Sequence, residues 1–580
     1  MSHFLQHSLC IQNVVFNGIQ NAENLFVRGF ESGANRKRCS TDTYINMFHY
    51  ARWRDLTGFD EVSLHVLCEG KGSLFLYGVS SKIGEKQGKD ASLPVQIAFY
   101  NVNNPEGVSQ QWSICLNKDY DFFFLAWEYE KDNYFNIEKA YYEVPYQSFK
   151  RDVKIAIVAT TFNRSDDIAL LARTYASACQ HDSYFNTASH LFIINNEYKD
   201  KDVLSQYEQK NITVVNNKEN FGGSGGFTQG ARLAVERGEF SHVLFMDDDA
   251  FIHEESWFRT VALLRCLRDE LCDHPVSGTM FTREQPSYCH AAIEALNKHL
   301  HRRCLSGAVF LDTPEACRNF LTAAHETCRQ LRCTEGQVPY PYAAWWYCLF
   351  PTAVFVQHGY PESYFLCGDD IEFGLRIKKS PLFLNGICVW HPAFENKTSP
   401  LREYLSLRNY ALRCTAHMKG WRYQLIKMFF RKMARCLAAN DYERAALTLL
   451  AIRDFMDFAH VPREGSQLIA RVEIQRQRWA NARAAREKVP FPSQQIAALP
   501  LRHNLLPMLG VFLTLGGVLV PPFLRRRHTV APFLQVGGRW VSQWTAYPES
   551  EISQKFQNIS AARLTIKAIM QIYSIIKKRG

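Results

Sequence analysis

Three consecutive carboxylates, Asp247-Asp248-Asp249, close an apolar run from Val243 to Met246 that reads as a buried strand. Like charges crowded at a strand end repel one another, so the triplet is costly unless a cation sits among them. A divalent metal on a diphosphate meets that condition; a solvated acidic turn, its charges screened by water, is the plainer reading. A second cluster, Gly368-Asp369-Asp370-Ile371-Glu372-Phe373, suits proton transfer. Transfer of a group to a hydroxyl needs a carboxylate that accepts the hydroxyl proton as the new bond forms. Asp370 or Asp369 fills that role, and a carboxylate capping a helix N-terminus is the structural reading of the other. Further on, Trp390-His391-Pro392 offers an imidazole after a strand-like run. Asp247, Asp249 and His391 together form a hard-to-borderline ligand set for Mn²⁺ or Mg²⁺, able to neutralise a departing diphosphate.

Other residues suit an anionic ligand or a sugar. The run Asn220-Phe221-Gly222-Gly223-Ser224-Gly225-Gly226 reads as a loop between a strand and a helix, where backbone approaches a ligand closely and helix amides point at anionic oxygens. A plain tight turn has the same composition. It is not a Walker A loop, since no Gly-Lys-Ser/Thr follows, and it lacks the dinucleotide spacing. Arg164, in the turn Thr160-Thr161-Phe162-Asn163-Arg164, suits a pyrophosphate or a base, or simply the surface at a helix start. Trp345 and Trp346 offer faces for a sugar ring or for core packing.

These residues need elements that hold them. Strand-like Lys154 to Ala159, Leu191 to Ile194 and Ile212 to Val215 end in Thr160, Asn195-Asn196 and Asn216-Asn217, with helical stretches between, one of them over Thr228 to Arg237. Alternating strands and helices imply parallel βαβ units, whose C-terminal strand ends bind ligands. Residues 1–150 instead read as short strands separated by Gly, Asn and Asp, as in a β-sandwich. There Tyr44, Trp53 and Trp127 are a stacking platform or core aromatics. From Tyr404 onward the chain becomes helical and basic. The resulting division is a sandwich at 1–150, an α/β domain at 151–403 and a helical region at 404–580.

Composition narrows the class. With 47% hydrophobic residues the chain of 580 can bury several cores. Its net charge of +10 falls partly late, in Arg525-Arg526-Arg527 and Lys577-Lys578-Arg579, without a basic stripe interleaved with stacking aromatics. That pattern favours an anionic membrane surface over nucleic acid. Seventeen cysteines, none in a CxxC pair, suit reduced thiols and a cytoplasmic setting. The first residues show neither the basic start nor the apolar core of a secretory signal. Leu505 to Leu524 is uncharged and just reaches the length of a membrane span, but its Pro and Gly residues suit a buried or interfacial segment as well. Arg563 to Arg579 has the amphipathic pattern of a helix lying on anionic lipid or packed on the body.

Taken in order, Thr-Phe-Asn-Arg, Asn-x-Gly-Gly-Ser-Gly-Gly-Phe, Met-Asp-Asp-Asp, Trp-Trp-Tyr, Gly-Asp-Asp-Ile-Glu-Phe-Gly and Trp-His resemble the GT-A, family 2 galactofuranosyltransferases. Thr43-Tyr44-Ile45-Asn46, Glu403-Tyr404 and Arg408-Asn409 add to the likeness, which spans roughly residues 40 to 415. The resemblance implies an N-terminal β-sandwich, a GT-A domain and a helical C-terminal region, with UDP-galactofuranose as donor and inversion at the anomeric carbon. Carried over by position, it implies that Asp247, Asp249 and His391 hold the metal, Asp370 is the base and Asp369 lies in the acceptor site. Thr160, Arg164, Asn195, Asn220, Gly223 and Asp248 would then border the donor, while Trp345 and Trp346 shape the donor and acceptor pockets. The acceptor expected is a hydroxyl of a bacterial surface glycan, lipid-linked at the inner membrane, with a homo-oligomer left open. Another nucleotide sugar as donor, or a non-catalytic glycan-binding protein, are the competing readings.

Overall fold

The computed structural model describes residues 8–31, 35–80, 93–104, 110–197, 201–394, 399–438, 441–457, 465–484, 497–499, 529–536, 539–545 and 566–571. The chain forms two compact units. One comprises residues 1–218, 226–361 and 373–393; the other comprises 219–225, 362–372 and 394–580.

The first unit opens with eight antiparallel strands between Ser8 and Pro145. The strand Ser63–Val79 is long enough to pair with four others, and so ties all eight into one hydrogen-bonded sheet. Its inward residues Leu64, Val66, Leu74 and Leu76 are buried, the alternation expected of a sheet with one wet face. Tyr44, Trp53 and Trp127 are also buried, which makes them core aromatics and not a stacking platform.

A ten-stranded sheet follows. Four of its strands are parallel neighbours, in the order Ile212–Asn216, Ser189–Asn195, Ile155–Thr161 and His242–Asp247. Each carries a nearly unbroken apolar run, as strands covered on both faces must. Beyond them lie Cys348–Pro351, paired antiparallel to His242–Asp247, and Val276–Thr282, which runs parallel to Leu382–His391. The helix after Ile212–Asn216 spans Gly222–Arg237, so it begins within the glycine run, earlier than the expected Thr228. The glycines explain its fit. A Cβ on Gly226 would lie 1.9 Å from Thr160 Oγ1, and one on Gly230 2.2 Å from Val158 Cγ1, so only bare backbone lets the helix approach the strand this closely.

Buried hydrogen bonds stitch the first strands to the ten-stranded sheet. Tyr44 donates to Thr279 Oγ1 at 2.8 Å, Arg52 Nε to the Phe383 carbonyl at 2.8 Å, and Asn385 Nδ2 to the carbonyls of Tyr44 and Met47. Arg259 bonds Glu255 Oε1 through two nitrogens and donates from Nη1 to the carbonyls of Ile45 and Asn385.

In the second unit the helices Pro400–His417, Trp421–Ala438, Tyr442–Met456 and Gly465–Ala484 match the helical expectation. Ser399 caps the first of them through Arg402 N, with Pro400 in its first turn. Their shared core includes Tyr404, Leu405, Leu447, Ala451 and Leu468. A three-stranded sheet of Ala497–Leu499, Thr529–Val536 and Arg539–Thr545 adds strands where helices were expected. No helix among the described residues is long and apolar enough to cross a membrane. Leu505 to Leu524 and both late basic triplets lie outside the described residues. Of the expected terminal helix, residues 566–571 are described and are helical.

Candidate active site

Register sets the site. Asn216 pairs with Asn195, Asn195 with Thr161, and Thr160 with Asp247, so the polar strand ends fall in one row at the C-terminal edge of the parallel sheet. An amide network joins them. Asn195 Nδ2 donates to Asn216 Oδ1, Asn217 Nδ2 to Asn196 Oδ1, and Asn196 Nδ2 to Thr160 Oγ1. Of this network only Thr160 and Asn195 were singled out from the sequence. Asn196 and Asn217 were visible as strand-end asparagines, but their bonding was not.

After Asp247 the chain turns, with Ala250 N bonded to the Asp247 carbonyl, and then pairs Phe251 with Trp390. This places the triplet beside His391, at the end of its own strand. His391 Nε2 lies 3.1 Å from Asp249 Oδ1 and 3.4 Å from Asp247 Oδ2. Its Nδ1 donates to the Pro392 carbonyl at 2.7 Å, which leaves Nε2 to face the carboxylates. One ligand atom from each of Asp247, Asp249 and His391 lies within 4.8 Å of the others. Two carboxylates and one imidazole held this way fit a divalent cation of the Mn²⁺ or Mg²⁺ type.

The electrostatics agree. Burial lowers the His391 pKa, but bonding to Asp247 and Asp249 outweighs burial and raises it: the pocket draws positive charge to this spot. Asp248 faces the other way. Arg164 Nη1 meets Asp248 Oδ1 at 2.7 Å and Asp249 Oδ2 at 2.8 Å. Burial pushes Asp248 up to about 6, with Arg164 pulling it down and Asp249 pushing it up again. Arg283 was not foreseen: it donates to Asp167 Oδ1 and to the Trp390 carbonyl. Its signal was its place immediately after the strand Val276–Thr282, among the strand ends where ligands bind.

Trp345 and Trp346 are buried. Trp345 packs edge-on against Phe227, Phe245 and Phe373, and Trp346 Nε1 donates to the Gly278 carbonyl.

In the second unit, Asp369 and Asp370 stand in the first turn of the helix Asp369–Ile377, where its dipole favours negative charge. Asp370 Oδ1 accepts from Ile371 N at 2.8 Å. The loop before them is contorted: Phe365, Cys367 and Gly368 have φ of 70°, 71° and 85°. Asn409 pins it, Nδ2 donating to the carbonyls of Tyr364, Leu366 and Cys367, and Arg408 Nη2 donates to the Tyr364 carbonyl as well. From the glycine run, Ser224 Oγ accepts from Phe365 N at 2.8 Å, and Asn220 Oδ1 accepts from Gly222 N. Gly222, at φ 69°, leaves no room for a Cβ, which would lie 2.2 Å from the Phe365 carbonyl. Gly223 stands more openly, where a Cβ would only touch Leu366.

A parallel sheet with its polar strand ends gathered at one edge, an Asp-x-Asp turn and a facing histidine define a GT-A glycosyltransferase fold. Residues 156–316 match the model of the Glycosyl transferase family 2. Its curated relatives include the galactofuranosyltransferase GlfT2 of Mycolicibacterium smegmatis, 23% identical over 71% of this chain and 63% of that protein. The GlfT2 of Mycobacterium tuberculosis is 25% identical over 42% of this chain and 38% of that protein. The chain thus spans less than two thirds of either relative. Among solved structures, S. aureus TarS 1-349 is 13% identical, with a TM-score of 0.33, over 60% of this chain and 94% of that one.

Proposed function

We propose that this glycosyltransferase is inverting and metal-dependent, moving galactofuranose from UDP-galactofuranose to a hydroxyl of a bacterial surface glycan of galactan or O-antigen type. The observation that carries the reading is the Asp247, Asp249 and His391 cluster at the strand ends, in a chain similar to two galactofuranosyltransferases. These three residues would hold Mn²⁺ or Mg²⁺, which when bound supplies the charge that neutralises the departing diphosphate.

The chain's own groups do the rest. Thr160, Arg164, Asn195, Asn220, Gly223 and Asp248 border the nucleotide, with Arg164 the cation for its phosphates. Asp370 takes the proton from the acceptor hydroxyl as oxygen attacks the anomeric carbon opposite UDP, which inverts that centre. Asp369 orients the acceptor, and the buried indoles of Trp345 and Trp346 set the walls of the sugar pockets. In this reading residues 1–150 are a scaffold, 151–403 the transferase and 404–580 a region facing a lipid-linked acceptor at the cytoplasmic side of the inner membrane.

The test is incubation with Mn²⁺, a synthetic galactofuranosyl acceptor and a panel of nucleotide sugars. Turnover with UDP-galactofuranose and not with galactopyranosyl or rhamnosyl donors is expected. Turnover with another donor alone would reassign the substrate, and none with any donor would leave a glycan-binding role.

A further inference from the structure

The N-terminal sheet carries an open cleft of about 420 Å³, within the size range of small-ligand pockets. Two short strands, Arg28–Glu31 and Arg36–Ser40, form one wall and place Phe30 directly opposite Arg38. Phe30 is 52% exposed, a large aromatic face presented to water at the rim. Arg38 is half-buried in the lining and held by aromatic neighbours. Its Nη2 donates to Tyr77 Oη at 2.7 Å, and its guanidinium carbon lies 5.4 to 5.9 Å from the ring centres of Phe30, Phe75 and Tyr77. Nε and Nη1 of Arg38 have no partner among the described residues and are open to solvent. Glu128, opposite Arg38 on the next strand, makes no ion pair with it: that carboxylate turns to Arg36 Nη1, 3.2 Å away.

The charge around the cleft is one-sided. Arg28, also in the lining, donates Nε and Nη2 to the carbonyls of Asn24 and Leu311, and no carboxylate among the described residues forms an ion pair with it. Asp42, the carboxylate of the lining, is buried and already paired with Arg318. The unpartnered atoms of Arg28 and Asp42 are sealed from solvent, so these two act on a ligand through their field and not by contact. Three guanidiniums thus face one carboxylate, an excess of two positive charges.

A charge partly withdrawn from water is ordinarily matched by an opposite one. Arg38 lacks that match and keeps open N–H groups, the donors an oxyanion takes up. A carboxylate would cancel half of the excess, whereas a phosphomonoester, at about −1.5 to −2 near neutral pH, cancels most of it. The remaining lining, with Phe30, Phe124, Ala126 and Pro314, is apolar and suits the organic part of such an ester.

We propose that this cleft binds a small organic phosphomonoester, with its phosphate on Arg38 and its apolar part against Phe30. The claim does not depend on which donor the transferase uses.

Calorimetry on the full chain in metal-free buffer should use phenyl phosphate and glucose 6-phosphate as probes, benzoate as the carboxylate control, and vesicles of phosphatidylcholine with phosphatidic acid as the lipid phosphate. At least one of the two soluble esters should bind. Arg38→Gln should weaken it by about tenfold or more, and Phe30→Ala by about three- to tenfold. Phe30 is exposed, so the second variant keeps its fold even if the first does not. Excess UDP should leave the binding unchanged. Binding of neither soluble ester would overturn the proposal, as would wild-type affinity in both variants. Displacement by UDP would move the ester to the donor site and overturn it too. Equal affinity for benzoate would overturn the phosphate class, and binding to the vesicles alone would overturn the small ligand. Binding of an ester lost in both variants, in a protein that does not turn over UDP-galactofuranose, would uphold this site while the proposed donor fell.

Discussion

Asp249 has a partner on each oxygen, Arg164 at 2.8 Å and His391 at 3.1 Å, so it joins the cationic side of the site to its ligand side. Removing its charge should therefore cost more metal affinity than removing that of Asp248, which faces Arg164 and is outside the ligand set. In calorimetry with Mn²⁺ and UDP, Asp249→Asn and His391→Ala should each lose about 10–100-fold in metal affinity, with Asp248→Asn losing less. Unchanged binding in His391→Ala would remove it from the ligand set. For Asp370 the expectation concerns rate. Asp370→Asn should lower transfer by about 10²–10⁴-fold while UDP binding persists, and a wild-type rate would assign the base elsewhere. The residue types for these roles were legible in the sequence, because acidic clusters and a lone histidine at strand ends are unusual there. The hold of Arg164 on Asp248 was not, since nothing local specifies which acid an arginine will meet.

At the scale of elements, the loop before Asp369 depends on a helix that follows it in the chain. Asn409 supplies three donor contacts to carbonyls of the loop, and two non-glycine residues there hold positive φ. Asn409→Ala should let the loop relax. Turnover should fall with UDP affinity intact, and stability should drop by about 1–3 kcal/mol in denaturant unfolding. The strand His242–Asp247 makes a pH prediction. Burial, with Arg151 adding to it, pushes His242 at its start down to about 4. The unfolded chain takes a proton on this histidine below about 6.5, whereas the folded chain resists until about 4. Stability should thus be flat in this contribution above about 6.5 and be lost as pH falls toward 4, by at most about 3 kcal/mol. Melting curves for wild type and His242→Gln across that window test it, the variant showing the shallower slope. Alternating strands and helices were readable from apolar runs and their polar ends. The start of the helix at Gly222 was not, because a glycine run reads as a loop unless a strand is known to lie against it.

For the molecule as a whole, buried polar links join the first strands to the ten-stranded sheet. Arg259 is the central one, satisfied by Glu255 and by carbonyls from both parts, while Glu255 also accepts from Asn13 N and Nδ2. Replacing one member of a buried pair strands the other's charge. Arg259→Met should cost about 3–5 kcal/mol, and calorimetry should show the transition of the first unit shifting as one. Two separate transitions, with only one of them shifted, would mean that the link does not couple the parts.

The sequence by itself determined which chemistry is available and where along the chain it sits: apolar strands ending in Asn, Thr and Asp, a glycine run, a second acidic cluster and a late histidine. These follow from periodicity and from the cost of crowded charge, which are local properties. Tertiary structure alone decided that Asp249 meets both His391 and Arg164, that Asn409 shapes the loop before Asp369, and that Trp345 meets Phe227, Phe245 and Phe373 edge-on while Phe30 is exposed. Each of these depends on strand register and helix placement, which bring together residues tens to hundreds of positions apart. No local pattern carries that information, because a side chain's type limits the bonds it can make without specifying its partner.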